Sequence, residues 1–194
     1  MDTAERLVTS AQELLWERGY VGTSPKAIQE RAGAGQGSMY HHFRGKPDLA
    51  LTAMRRSARE LRAQAEEQLG REGTALERVG GYLGREREPL RGCRVGRMAM
   101  DPEVIASDEL RAPVRETFAW LAERVAGIVA DGIAAGELRP GLDPADTAAA
   151  ITAVVQGGYV LARAAGDREP FDRAVRGALG LLAAAATGEA PHGA

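Results

Sequence analysis

Apolar residues along this chain recur at helical spacing, not strand spacing. In residues 3–18, Leu7, Ala11, Leu14 and Leu15 fall on one face, and Gly19 follows as a stop. Ser24-Pro25 supplies a cap and then proline at a first helical position, and Gly33 closes the segment, which predicts a short helix over 25–32. Gly33-Ala34-Gly35 leads into a second short helix over 36–42. Two short helices joined by a glycine-containing turn describe a helix-turn-helix.

Pro47 opens a long helix that runs to about Leu69, and Thr74-Ala75-Leu76-Glu77 reads as a capping box opening another towards Glu88. Residues 91–108 are less regular. Pro102 and Pro113 interrupt this part of the chain, so a short helix and then a long one ending at Gly136 are expected. Asp143-Pro144 starts the next helix, to near Gly166, and Pro170 the last, to about Ala186. Sustained period-two alternation of β-branched residues is absent. The pattern predicts an all-α chain of about nine helices. Residues 1–46, with the three helices of the helix-turn-helix, are expected to form one unit, 47–187 a second helical unit, and 188–194 a flexible tail.

Composition narrows the class. At 194 residues and 44% apolar the chain can build a packed core. Cys93 is its one cysteine, so neither an intramolecular disulfide nor a Cys-based zinc site is open to it, and a small buried apolar role is preferred over a redox sensor. No apolar run reaches membrane-spanning length and Met1-Asp2-Thr3-Ala4-Glu5 is no signal peptide, so a cytoplasmic protein without a membrane partner is expected. Ser-His-Asp motifs, phosphate-binding glycine loops and paired metal-ligand spacings are missing, and His192 lies in the tail. The expectation is no enzyme, no cofactor and no metal.

The net charge of −2 hides a local excess. Within 23–46, Lys26, Arg31, Arg44 and Lys46 face Glu30 alone, leaving a surplus of three positive charges before His41 or His42 contributes. Phosphate binding depends on such a patch and not on the whole-chain sum.

The same residues, TSPKAIQERAGAGQGSMYHHFRGK, resemble the DNA-binding domain of the TetR family of transcriptional regulators. Gly22, Thr23, Ile28, Ala32, Gly33, Gly37, Ser38, Tyr40, His42, Phe43 and Lys46 carry the resemblance, with Leu49 and Leu51 beyond. Ala34 and Gly35 depart from the family's usual valine and serine or threonine cap. Physically, Ile28, Ala32, Met39 and Phe43 can close a small core, while Gln36, Gly37, Ser38, Tyr40 and His41 lie on the opposite face. A helix fits the major groove, where its N-terminal residues reach base edges. Gln36 suits an adenine edge, Gly37 lets the backbone approach, Tyr40 suits a thymine methyl or a phosphate, and Lys26 a base or a phosphate. Thr23, Ser24, Ser38, His42 and Lys46 are phosphate candidates. Arg55 and Arg56 read as solvated. Adjacent His41 and His42 point apart, which argues against a metal site.

The C-terminal part resembles the lincomycin-resistance repressor subgroup of that family (LmrA/YxaF-like), through Gly92-Cys93-Arg94-Val95-Gly96, Phe118-Ala119-Trp120, Gly136-Glu137-Leu138, Gln156-Gly157-Gly158 and Leu161-Ala162-Arg163-Ala164. That resemblance implies a helical effector pocket and a homodimer through the last two helices. Interface candidates are Ile151, Val154, Val155, Gly158, Leu161, Phe171, Val175, Leu179 and Leu182; the alternative is that these faces close the protomer's own core. Pocket candidates are Met54, Tyr82, Cys93, Met98, Met100, Phe118, Leu121, Gln156 and Tyr159, which suit a small, largely apolar effector. The expected activity is sequence-specific repression from a palindromic or near-palindromic double-stranded DNA operator, relieved by the effector. A helical scaffold that no longer binds DNA is the rival reading, and activator and repressor are not separable at this level.

Overall fold

The computed structural model describes residues 2–187, so the proposed tail 188–194, His192 included, lies outside the described residues. Among those described there are ten α-helices and one isolated bridge, between Leu138 and Ala186. The helices are α1 (Thr3–Arg18), α2 (Pro25–Ala32), α3 (Gln36–His42), α4 (Lys46–Leu69), α5 (Ala75–Gly84), α6 (Arg94–Met98), α7 (Pro102–Ala106), α8 (Asp108–Ala134), α9 (Pro144–Ala165) and α10 (Glu169–Ala183).

Three departures from the expected elements have local causes. The α5 helix stops at Gly84, short of Glu88, because the buried Arg87 guanidinium donates to the Tyr82 and Leu83 carbonyls at 2.6 and 2.7 Å and so occupies acceptors that further helical turns would use. Residues 94–106 make two short helices where one was expected. Cys93 Sγ accepts from Gly96 N–H to start α6, and Asp101 caps α7 ahead of Pro102. Pro113 lies inside α8, near its start, where it removes only one intrahelical donor.

The chain separates into two compact units, one made of residues 1–61 and 93–117, the other of 62–92 and 118 onward. In the first, α1 packs on α2, α3 and α6 around Leu7, Ala11, Leu14, Leu15, Ile28 and Met39. The division at Lys46 is not where contacts divide. The α6 corner is held to α1 by Arg94, which reaches Glu13 at 2.9 Å and lies over the Trp16 ring at 4.1 Å. Gln12 on α1 likewise donates to Ser57 on α4 at 3.1 Å. Long-range packing of this kind has no signature in a linear pattern.

In the second unit α10 packs on α9 and α5. Gly158 admits the Phe171 ring so closely that an added Cβ would stand 2.9 Å from it, and Tyr159 tilts on the same ring at 4.8 Å. By length and composition α9, with a mean hydropathy of 1.3, is apolar enough to cross a membrane, contrary to the expectation above. Its alanine-rich make-up produces that value. Its buried residues recur at helical spacing, from Ala148 through Ile151, Val155 and Tyr159 to Ala162.

Candidate nucleic-acid interface

The reading unit is assembled by capping and by one small core. Ser24 Oγ accepts from Ala27 N–H at 3.1 Å, and Pro25 follows at the first helical position. At the other end of α2, Gly33 takes the left-handed conformation (φ 59°) that turns the chain towards α3. Arg6 on α1 donates to the Ala32 carbonyl at 3.0 Å and seals the same terminus. No side chain caps α3, whose N-cap is Gly35. Ile28, Ala32 and Met39 are buried and Phe43 half-buried, as the spacing required, and they fix α3 against α2. The outer face of α3 then presents Gln36, Gly37, Tyr40, His41 and His42 to solvent, with Ser38 half-buried; Tyr40 is 52% exposed.

Thr23 needs correction as a phosphate candidate. It is 1% exposed and its hydroxyl donates to the Gly19 carbonyl at 2.6 Å, so it closes the α1–α2 turn. The charge patch is also redistributed. Arg31 is held by both Glu17 oxygens at 2.8 and 2.9 Å, which raises its already high pKa further. Lys26 stands 3.8 Å from Glu30. The surplus therefore concentrates in the α3–α4 turn, on the exposed Arg44 and on Lys46, the first residue of α4, whose Nζ sits 4.0 Å over the Tyr20 ring. From sequence Arg44 entered only the local charge count and was not named as a DNA contact, although its place directly after Phe43 could have marked it. Arg56 is paired with Glu5 and not simply solvated.

The effector candidates fall in both units. In the first, Met54 and Met98 meet around a cavity of about 10 Å³ that Gln12, Trp16, Ser57 and Arg94 also line. That is room for about one water. Cys93 is buried at the N-cap of α6. Met100 is 79% exposed and does not line that cavity, because it sits in the tight corner between α6 and α7. In the second unit Tyr82, Leu121 and Tyr159 are buried, and Phe118 and Gln156 half-buried.

Of the interface candidates, Ile151, Val155, Gly158, Phe171, Val175 and Leu182 are buried within the protomer. They are the inward stripe of α9 and α10, so the core-closing alternative holds for them, while Val154 and Leu179 are half-buried. The outward stripe consists of Val160, Leu161 and Leu181, at 60%, 54% and 76% exposure. Beside Leu161 runs a groove of about 500 Å³ bounded by Ala165, Pro170, Arg173 and Ala174.

A short helix seated on another through one buried face, its other face bare and followed by the exposed Arg44 and the half-buried Lys46, defines a helix-turn-helix DNA-binding protein. Residues 7–53 match the family model described as bacterial regulatory proteins, tetR family, and residues 75–178 the model described as tetracyclin repressor-like, C-terminal domain. The chain belongs to the TetR family of transcriptional regulators. That membership places it among DNA-binding regulators and not among enzymes.

An HTH-type transcriptional regulator of Mycobacterium tuberculosis is 28% identical over 188 residues, 93% of this chain and 94% of that one. The HTH-type regulator YxaF of Bacillus subtilis is 24% identical over 178 residues, 88% of this chain and 90% of that one. Among solved structures, a TetR transcriptional regulator from Chloroflexus aurantiacus superposes with a TM-score of 0.82 at 29% identity, covering 95% of this chain and 96% of that one. A cysteine mutant of the regulator CifR, complexed with 26 bp double-strand operator DNA, gives a TM-score of 0.77 at 26% identity over 92% of this chain and 96% of that one.

Proposed function

We propose that this chain is a dimeric repressor that reads a two-fold symmetric operator with α3 and leaves it when a small, largely apolar effector binds. The bare outer face of α3 carries this reading. Gln36, Tyr40 and His41 reach base edges, with Gly37 letting the helix backbone close on the groove. Ser24, Lys26, Ser38, His42, Arg44 and Lys46 hold phosphates and set the register. The similarity to CifR, a protein solved on operator DNA, supports the same docking. Residues up to Lys46 do the reading, the remainder senses the effector and dimerises, and the protein works in the cytoplasm where the DNA is.

The apolar outward stripe on α9 and α10 supports the homodimer. Two copies packed through Val160, Leu161 and Leu181 present two reading helices to half-sites about one DNA turn, or a multiple of it, apart. The effector reading rests on the Met54–Met98 cavity. A drug-sized ligand needs roughly 300 Å³ or more, so its entry must displace α6, and the packing of α6 on α1 couples that displacement to the reading unit.

Gel shift with a duplex selected from a random library tests the docking. Tyr40→Ala combined with Lys46→Ala abolishes binding while circular dichroism and sedimentation show a folded protein of unchanged size. Unchanged affinity overturns the docking.

A further inference from the structure

The turn between α1 and α2 is held by a residue some eighty positions away in the chain. Asp101 is 6% exposed, yet none of its partners among the described residues is a cation. Its carboxylate is satisfied by backbone donors. Oδ2 accepts from Val21 N–H at 2.9 Å, and Oδ1 from Glu103 and Val104 N–H at 3.2 and 3.4 Å. One side chain thus caps α7 and pins the α1–α2 turn.

The turn is built to receive it. Gly19 has φ 78°, and a Cβ there would stand 2.9 Å from Asp101 Oδ2. Thr23 closes the other side, its N–H donating to the Tyr20 carbonyl at 3.1 Å and its hydroxyl to Gly19. Between them Tyr20 is 5% exposed, with its ring beneath Lys46 Nζ. Burial, then the nearby Glu103 and Asp101 charges, push the Tyr20 phenol upward, so it stays neutral at every pH of interest. The ring is a fixed seat for the ammonium, and Lys46 begins α4 after the short turn 43–45 that follows α3.

We propose that Asp101 is a positioning residue for DNA recognition: it holds the α1–α2 turn so that Tyr20 seats Lys46 against a backbone phosphate. The inference rests on the DNA-binding reading above. It gives the α6–α7 corner a direct grip on a phosphate contact, so whatever shifts that corner loosens the protein from DNA.

Two variants separate this role from general support of the fold. Asp101→Asn keeps the shape and loses the charge. Asp101→Ser keeps a good cap for α7 and cannot reach Val21. Affinity for a duplex selected by the unaltered protein is measured over a salt series, with thermal unfolding alongside. Both variants bind about tenfold more weakly, the scale set by losing a charge-assisted hydrogen bond. The slope of log affinity against log salt becomes shallower by about 2 per dimer, one phosphate contact in each protomer. In a Lys46→Ala background Asp101→Ser changes affinity by less than about twofold, because the contact it positions is already gone.

An unchanged salt slope overturns the proposal even if stability falls, and so does full additivity with Lys46→Ala. If Asp101→Asn does not fold, Asp101→Ser alone decides by the same criteria. Failure of the unaltered protein to select any sequence overturns the DNA-binding reading, and this one with it.

Discussion

Two glycines of α8, Gly127 in its interior and Gly132 in its last turn, are expected to respond to the same substitution with opposite signs. Replacing helical glycine by alanine gains about 1 kcal/mol of helix propensity. At Gly127 the added methyl meets nothing within 4 Å and the position is exposed, so Gly127→Ala stabilises by about 0.5–1 kcal/mol. At Gly132 the same methyl would stand 2.5 Å from Ala75 Cβ and 3.2 Å from Leu138 Cδ1. Apolar carbons are comfortable at about 3.5–4.0 Å, so the first contact is too short by about 1 Å.

Neither neighbour can give way easily. Ala75 opens α5 and its N–H is bonded to Glu137 Oε2 at 2.7 Å. Leu138 N–H is bonded to the Gly132 carbonyl itself, at 3.1 Å. Overpacking of a well-filled site costs about 1–3 kcal/mol, and the upper end applies here, leaving Gly132→Ala a net loss of about 2 kcal/mol. In thermal melts at one fixed protomer concentration, Gly127→Ala raises the midpoint by about 1–4 °C and Gly132→Ala lowers it by about 4–8 °C. If Gly132→Ala proves as stable as Gly127→Ala, the close approach of α8 to the start of α5 is not there.

Thr74→Ala removes the capping box in which Thr74 Oγ1 accepts from Glu77 N–H and Glu77 bonds back to Thr74 N–H; about 1 kcal/mol of stability is lost in urea unfolding. Arg124, bonded at 2.7 Å, holds the Glu66 carboxyl below its usual value of 4.5, so this pair stabilises the fold above that pH and its contribution is lost as the pH falls through and below it. Glu66→Gln is therefore less stable than the unaltered protein at neutral pH, and the gap closes in acid; a gap that is constant with pH contradicts the pairing. Leu161→Glu places a charge on the outward stripe of α9 and yields a folded monomer in sedimentation, whereas a protomer that still dimerises shows that its partner docks elsewhere.

How far the sequence reached depended on whether the determinants were local. Ser24-Pro25, Gly33 and Asp143-Pro144 carry their own capping chemistry, and α2, α3 and α9 lie where that chemistry puts them. The inner core of the reading unit followed from spacing alone. What was missed was settled by partners distant in sequence. Thr23 looks like an exposed hydroxyl until Gly19 claims it. Arg31 counts towards the local positive surplus until Glu17 pairs with it. Period alone could not tell the inward stripe of α9, with Ile151 and Val155, from the outward one with Val160 and Leu161, because both are apolar. Asp101 was missed too, although Asp101-Pro102 bears the same cap-then-proline signature as Ser24-Pro25.

The central claim is that α3 reads base edges while the residues around it only hold phosphates. Selecting bound sequences from a random double-stranded library with the unaltered protein, Gln36→Ala and Lys46→Ala tests it most directly. The account predicts a two-fold symmetric site for the unaltered protein, relaxed preference at one symmetric pair of positions for Gln36→Ala, and the same site bound more weakly for Lys46→Ala. If Gln36→Ala selects an unchanged site with undiminished preference at every position, α3 is not the helix that reads the operator.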